Sequence, residues 1–220
     1  GQEVCTATPR SLVRTSSPSG AGSRGTASTF NSEPTTLLNT RRIGGAARID
    51  VPDNIEVAGV ELGSPTNLLG AVKVTGQSGG FRYGVLGAFE DEVSLRGTVS
   101  SGINQGEEVN VTSGGRDFGV VRLLYENVGE GRRSIGYLGT VVSYPDDEAV
   151  VHGIDSHWLS KNGAWQIDGQ LINSEVASET GYGGLLDVSY KPKQGVEHGL
   201  SIDYLDDNLD VSDLGFIRRN

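Results

Sequence analysis

The chain has no Met, only two Trp and a single Cys, and it contains no run of the ~18 apolar residues that a membrane-spanning helix requires. Each absence excludes something. Cys5 alone cannot form an intrachain disulfide or a cysteine-based metal cluster. The residues before it, Gln2, Glu3 and Val4, lack the small-residue cleavage context of an acylated lipoprotein. No signal peptide is visible at the N-terminus, which predicts a start after processing or in mid-chain. Basic residues are also short: 18 Lys and Arg stand against 28 Asp and Glu, a net charge of -10. That balance excludes nucleic acid as a partner, because a phosphate backbone is bound by a clustered excess of cations. Without a spanning helix, a bilayer can be met only by strands or at its surface.

What the chain does have is glycine, 33 residues of it, with 35% hydrophobic residues. Bulky core formers are scarce, so backbone pairing is expected to carry the structure. Residues 1–35 are rich in Ser, Thr, Gly, Pro and Arg without apolar periodicity and read as a disordered linker or an extracellular loop. From Leu37 onward, short alternating runs are separated, roughly every 10 to 15 residues, by Gly, Asn, Asp or Pro clusters. Residues 36–220 are therefore predicted to be all-β, an antiparallel up-and-down meander of roughly eight to ten strands forming all or part of an outer-membrane β-barrel.

The alternation is clearest late in the chain. Trp165, Ile167, Gly169 and Leu171 oppose Gln166, Asp168 and Gln170 with period two. Tyr182, Gly184, Leu186, Val188 and Tyr190 oppose Asp187, Ser189 and Lys191, and Leu200, Ile202 and Tyr204 oppose Glu197, Ser201 and Asp203. Earlier strands are expected over 68–76, 80–89, 116–126, 133–144 and 150–160. Strands of about 9 to 12 residues have the length a tilted strand needs to cross the hydrocarbon layer. Tyr125, Tyr144, Trp158, Trp165, Tyr182, Tyr190 and Tyr204 lie near segment ends, as in the aromatic girdles of barrels. The same rings would also cap the core of a soluble β-sandwich. Glycines within the strands favour the barrel, since small residues let strongly coiled strands bend.

Candidate lumen or lipid-contact residues follow. Arg122 and Asp155 lie inside apolar surroundings and, like Asp168, are expected to point into a lumen, where water or a partner charge is available. The paired Arg41, Arg42 and Arg218, Arg219 are placed at strand ends, suited to lipid phosphates or to internal carboxylates. Catalytic groupings are weak. Asp155 and His157 share a face that Ser156 does not, and neither they nor His198, Glu197 and Ser201 are accompanied by a Gly-x-Ser-x-Gly elbow. The acidic stretch from Asp206 to Asp213 fails the calcium-loop pattern, with Val211 at the sixth position where Gly is needed and Ile217 at the twelfth where Glu is needed. No catalytic residue, metal site or cofactor is assigned.

Several phrases resemble a known family: Leu38 to Gly44 (LNTRRIG), Leu69 to Gly76 (LGAVKVTG), Gly84 to Ala88 (GVLGA), Val121 to Leu123 (VRL), Gly163 to Leu171 (GAWQIDGQL) and Asp210 to Arg219 (DVSDLGFIRR). Their order and spacing are similar to a bacterial family of outer-membrane barrels of uncharacterised function. The members carry a family 9-like carbohydrate-binding domain ahead of the barrel. The resemblance implies localisation in the bacterial outer membrane, the lipid bilayer as partner, and a conduit or anchor linked to envelope or glycan handling. No sugar-binding domain is present in these residues, so a glycan partner is implied only by association. The DLGFIRR phrase lies mid-barrel in the family, which implies a piece of a larger barrel. The alternatives are a soluble β-sandwich carbohydrate-binding module and, by family context alone, a glycan-processing enzyme.

Overall fold

Alternation with period two puts successive side chains on opposite faces of a strand, so pairing such segments sorts residues onto two surfaces. The computed structural model describes residues 37–47 and 49–215. Strand β1 spans Ile55–Val57, β2 Leu68–Ser78, β3 Phe81–Glu90, β4 Val93–Val99, β5 Glu108–Ser113 and β6 Asp117–Gly129. Strand β7 spans Gly131–Ser143, β8 Glu148–Leu159, β9 Trp165–Val176, β10 Glu179–Lys193 and β11 Val196–Leu205. One short helix, Gly59–Leu62, and a 3-10 turn, Thr40–Arg42, complete the regular elements. The segment 1–35 and the pair Arg218, Arg219 lie outside the described residues.

Two antiparallel sheets result. The larger has eight strands in the order β11-β10-β9-β8-β7-β6-β3-β2, and the smaller has three, β1-β4-β5. The meander expected from sequence is present from β6 to β11. It is interrupted between β3 and β6, where the chain leaves to form β4 and β5. Those two strands had no counterpart among the expected segments. Their apolar positions, Val93, Leu95, Val109 and Val111, are separated by Gly- and charge-rich stretches too short to mark them out.

All eight strands of the larger sheet begin or end at the same two levels. At one end the connections are tight hairpins at Gly79–Gly80, Glu130, 160–164 and 194–195; this is the hairpin end. At the other, the loop end, lie the excursion through β4 and β5 and the 144–147 connection. The β9–β10 turn is also there, with Ala177 at φ 50 and Ser178 at φ 65. Positive φ at both central positions is the type I′ geometry whose twist matches the flanking strands. The sheet is open, with β2 and β11 as its edges.

Register assigns the faces. On the inner face the loop half is apolar: Leu86, Ala88, Phe118, Val120, Leu138, Val142, Ala149, Val151 and Ile172. Two chain segments cover it. Leu37 and Leu38 come from before the first strand, Val211 and Leu214 from after the last, and all four are buried in the same cluster. The segments are tied to each other by the Asn39 N–H bonded to the Leu214 carbonyl, and to the β7–β8 connection by the Tyr144 hydroxyl donating to Asp213. The Asp210 N–H donates to Ser174 Oγ at 3.0 Å, a fully buried hydroxyl. Their close approach explains glycine in β8 and β10. A Cβ on Gly153 would lie 2.4 Å from Leu37 Cδ1, and one on Gly181 would lie 2.3 Å from the backbone nitrogen of Leu209.

Candidate functional site

The hairpin half of the inner face is polar, and its charges are paired across strands. Arg122 on β6 reaches over β7 to Asp155 on β8, with Nη1 2.5 Å from Oδ1 and Nη2 3.0 Å from Oδ2. The two side chains keep only 17% and 13% of their exposure. The crossing is open because β7 presents Gly136 there, where a Cβ would lie 2.5 Å from Arg122 Nη2. A bidentate pair of this kind has geometric specificity as well as charge, since the planar guanidinium fits both carboxylate oxygens. Four residues further along β6, nearer the turns, Glu126 accepts from Arg132 and pairs with Arg82 Nη2 at 3.0 Å.

Asp168 forms the third group. His157 Nδ1 lies 2.6 Å from Asp168 Oδ1, and Gln166 Nε2 donates to Oδ2 at 2.6 Å. An ionised carboxylate only accepts hydrogen bonds, so the contact pairs a ring nitrogen with an acceptor oxygen. This has the polarity of an acid-histidine relay. However, Nε2 of His157 is enclosed without a partner among the described residues, so the cross-strand Ser134 hydroxyl does not reach it. His198 and Glu197, adjacent on β11, point to opposite faces. No nucleophile is assembled at either histidine.

Of the residues singled out from sequence, Arg122, Asp155 and Asp168 share the inner face. Arg122 pairs with Asp155, and Asp168 with His157. Arg41 and Arg42 stand apart, exposed on the 3-10 turn near Glu90, where Asn39 Oδ1 accepts from the Arg41 N–H at 3.2 Å. Glu90 itself is buried, accepting from Arg116 Nε at 2.7 Å and from the Gly44 N–H at 2.7 Å. Sequence reading placed His157 on the face of Asp155 but missed Glu126, Arg132 and Arg82 as members of the charged face. Their parity was legible, but which strand lies opposite which follows only from the hairpin turns.

The outer face is the reverse. Val72, Val85, Leu123, Ile135, Ile154, Leu171, Leu186 and Ile202 all face solvent, Val72 at 58% and Leu171 at 64% exposure. Along the described strands the Asp, Glu, Lys and Arg residues of this face stand only at its margins: Asp117, Glu148 and Glu175 at the loop end, Arg133 and Lys193 at the hairpin end. Rings mark both margins. Phe81, Tyr83, Tyr125, Trp158, Trp165 and Tyr190 lie toward the hairpin end, with Trp165 and Tyr190 stacked at 4.2 Å. Phe89, Tyr182 and Tyr204 lie toward the loop end. Among the polar groups of this face, the Tyr137 hydroxyl meets His152 Nδ1 at 2.8 Å and Asn173 Nδ2 donates to the Gly181 carbonyl at 3.2 Å, while Ser156 and Thr180 are exposed.

The class these features define is an all-β protein built on an open antiparallel sheet with its apolar face outward and its ion pairs inward. The chain belongs to the family described as a domain of unknown function (DUF5916), which matches residues 30–220. Neither a curated protein nor a solved structure matches it.

Proposed function

We propose that this chain forms wall of a β-barrel in the bacterial outer membrane, with the exposed apolar face against lipid and the charged face toward the barrel interior. The observation that carries the reading is the inversion of the sheet. In water, an antiparallel sheet turns its apolar face to the core and its polar face to solvent. Here the polar face holds the enclosed ion pairs and the apolar face is bare. A contiguous exposed apolar surface of this extent marks contact with a membrane or a partner.

The dimensions agree with a bilayer. From Glu148 to Trp158 on β8, about ten residues at ~3.3 Å each cover ~33 Å along the strand, or ~25 Å across the membrane at a tilt of ~40°. The helix content does not bear on this: among the described residues no helix is long and apolar enough to cross a membrane, and barrels cross with strands. In lipid the free edges of β2 and β11 would carry unpaired N–H and C=O groups, so the proposal includes their pairing, with each other or with further strands. An anchor or conduit serving envelope or glycan handling is the role we attach to that wall. Its glycan part rests on the family resemblance alone.

Transfer of the unfolded chain into detergent micelles or lipid vesicles tests the reading. The expected outcome is strand-rich circular dichroism that develops in the amphiphile, with heat-modifiable migration on gels. A monodisperse, cooperatively folded β-protein in plain buffer would sink it in favour of a soluble β-sandwich. That reading requires a layer over the outer face, where among the described residues Val72, Ile135, Leu171 and Ile202 stand exposed.

A further inference from the structure

The two margins of the outer face carry opposite charge. Asp117, Glu148 and Glu175 border the loop end, and the turns beyond them add Asp146 and Asp147. At the hairpin end the outward charges are Arg133 and Lys193, with Lys161 in a neighbouring hairpin. We infer that the hairpin margin binds the phosphate of lipid headgroups that carry net negative charge, in preference to zwitterionic ones, and that Arg133 is the cation that contacts them. This rests on the membrane reading and deepens it.

Arg133 is exposed and has no acidic partner among the described residues, unlike Arg132 beside it, which points inward to Glu126. Its cross-strand neighbours are Asn127 on β6 and Trp158 on β8, an amide and an indole at the level where headgroups meet acyl chains. A cavity of about 480 Å³ opens there, lined by Arg133, Asn127, Tyr125, Ile135 and the Glu130 turn. It joins apolar surface on its membrane side to a guanidinium and an amide on its water side, the chemistry of an anionic amphiphile. Glu130 is the opposing charge at this turn. It is fully splayed into solvent, with Lys161 Nζ 3.7 Å from its Oε1. A guanidinium offers phosphate a planar fork of donors, and attraction to an anionic surface is about five-fold in binding per cation. The acidic loop margin would repel the same headgroups.

The chain reports on this margin by itself, since its two Trp are Trp158 and Trp165, both on the outer face at the hairpin end. Wild type, Arg133→Gln and Arg133→Lys are folded into vesicles of phosphatidylcholine mixed with phosphatidylglycerol, with one lipid or the other brominated on its acyl chains. Tryptophan quenching then gives the relative occupancy of each lipid beside the margin. The expected result is a preference for phosphatidylglycerol of about five-fold in wild type, lost in Arg133→Gln and largely kept in Arg133→Lys. Equal quenching by the two lipids in wild type, or an unchanged preference in Arg133→Gln, overturns the inference while leaving the membrane reading intact. Loss of the preference on adding inorganic phosphate assigns the site to the free anion and also overturns it. Quenching by neither lipid overturns both.

Discussion

The two faces of the eight-stranded sheet are built from the same strands, residue by residue, yet they obey opposite rules. On the inner face Arg122, Asp155, Glu126, Arg132, His157 and Asp168 are enclosed and paired. On the outer face, between its charged margins, Val, Leu, Ile and aromatic side chains stand uncovered. The comparison teaches where the solvent of each face must lie. Burying a charge is tolerated when a partner and hydrogen bonds accompany it, whereas exposing a broad apolar surface to water gains nothing. That division is what the proposed lipid-facing wall needs, and a partner layer over the outer face would meet it as well.

The strongest way to break the comparison is to leave a charge on the inner face without its partner. Asp155→Ala should cost about 3 kcal/mol, because the Arg122 guanidinium stays enclosed and unpaired; joint replacement by Leu at both positions should recover most of it. Denaturant unfolding in micelles measures both. Loss of under 0.5 kcal/mol in the single variant would show that water reaches the pair freely.

A sharper comparison uses adjacent residues. Val74 and Thr75 are neighbours on β2, facing outward and inward. Val74→Arg should destabilise the vesicle-inserted protein by about 2 to 4 kcal/mol, while Thr75→Arg should change it by only a few tenths. Refolding titrations into vesicles give the difference. Equal effects at the two positions would remove the distinction between the faces, and improved solubility with unchanged stability for Val74→Arg would favour the sandwich.

Two smaller effects separate the sheet from its connections. Ala177 and Ser178 hold positive φ in the β9–β10 turn, a conformation that Asn and Gly adopt at less cost. Ala177→Asn with Ser178→Gly should raise stability by about 1 kcal/mol without altering either face. Replacing residues 93–113 by a short Gly-Ser linker should change the dichroism of the large sheet least of all, since β4 and β5 pair only within the smaller sheet. Loss of heat-modifiable migration in that variant would show that the smaller sheet supports the wall.

The strands were the most legible part of this molecule. The expected segments 68–76, 80–89, 116–126, 133–144 and 150–160 correspond to β2, β3, β6, β7 and β8, and the parity read in Trp165 to Leu171, Tyr182 to Tyr190 and Leu200 to Tyr204 places those residues together on the outer face. Local alternation suffices for this because the side-chain period of a strand is fixed by its backbone. The pairing of Arg122 with Asp155 was not legible. It spans three strands, depends on the register of two hairpins, and needs the gap left by Gly136. The inner cover was hidden for the same reason: Leu37 and Leu38 meet Val211 and Leu214 only after the whole sheet lies between them.

By itself, then, the sequence determined an all-β chain with two chemically distinct strand faces, since alternation, turn residues and strand length are local properties of the backbone. Tertiary structure decided which face is enclosed, which charges meet and which segments cover the apolar half. Those outcomes depend on long-range register, and a shift of one residue would exchange the two faces entirely.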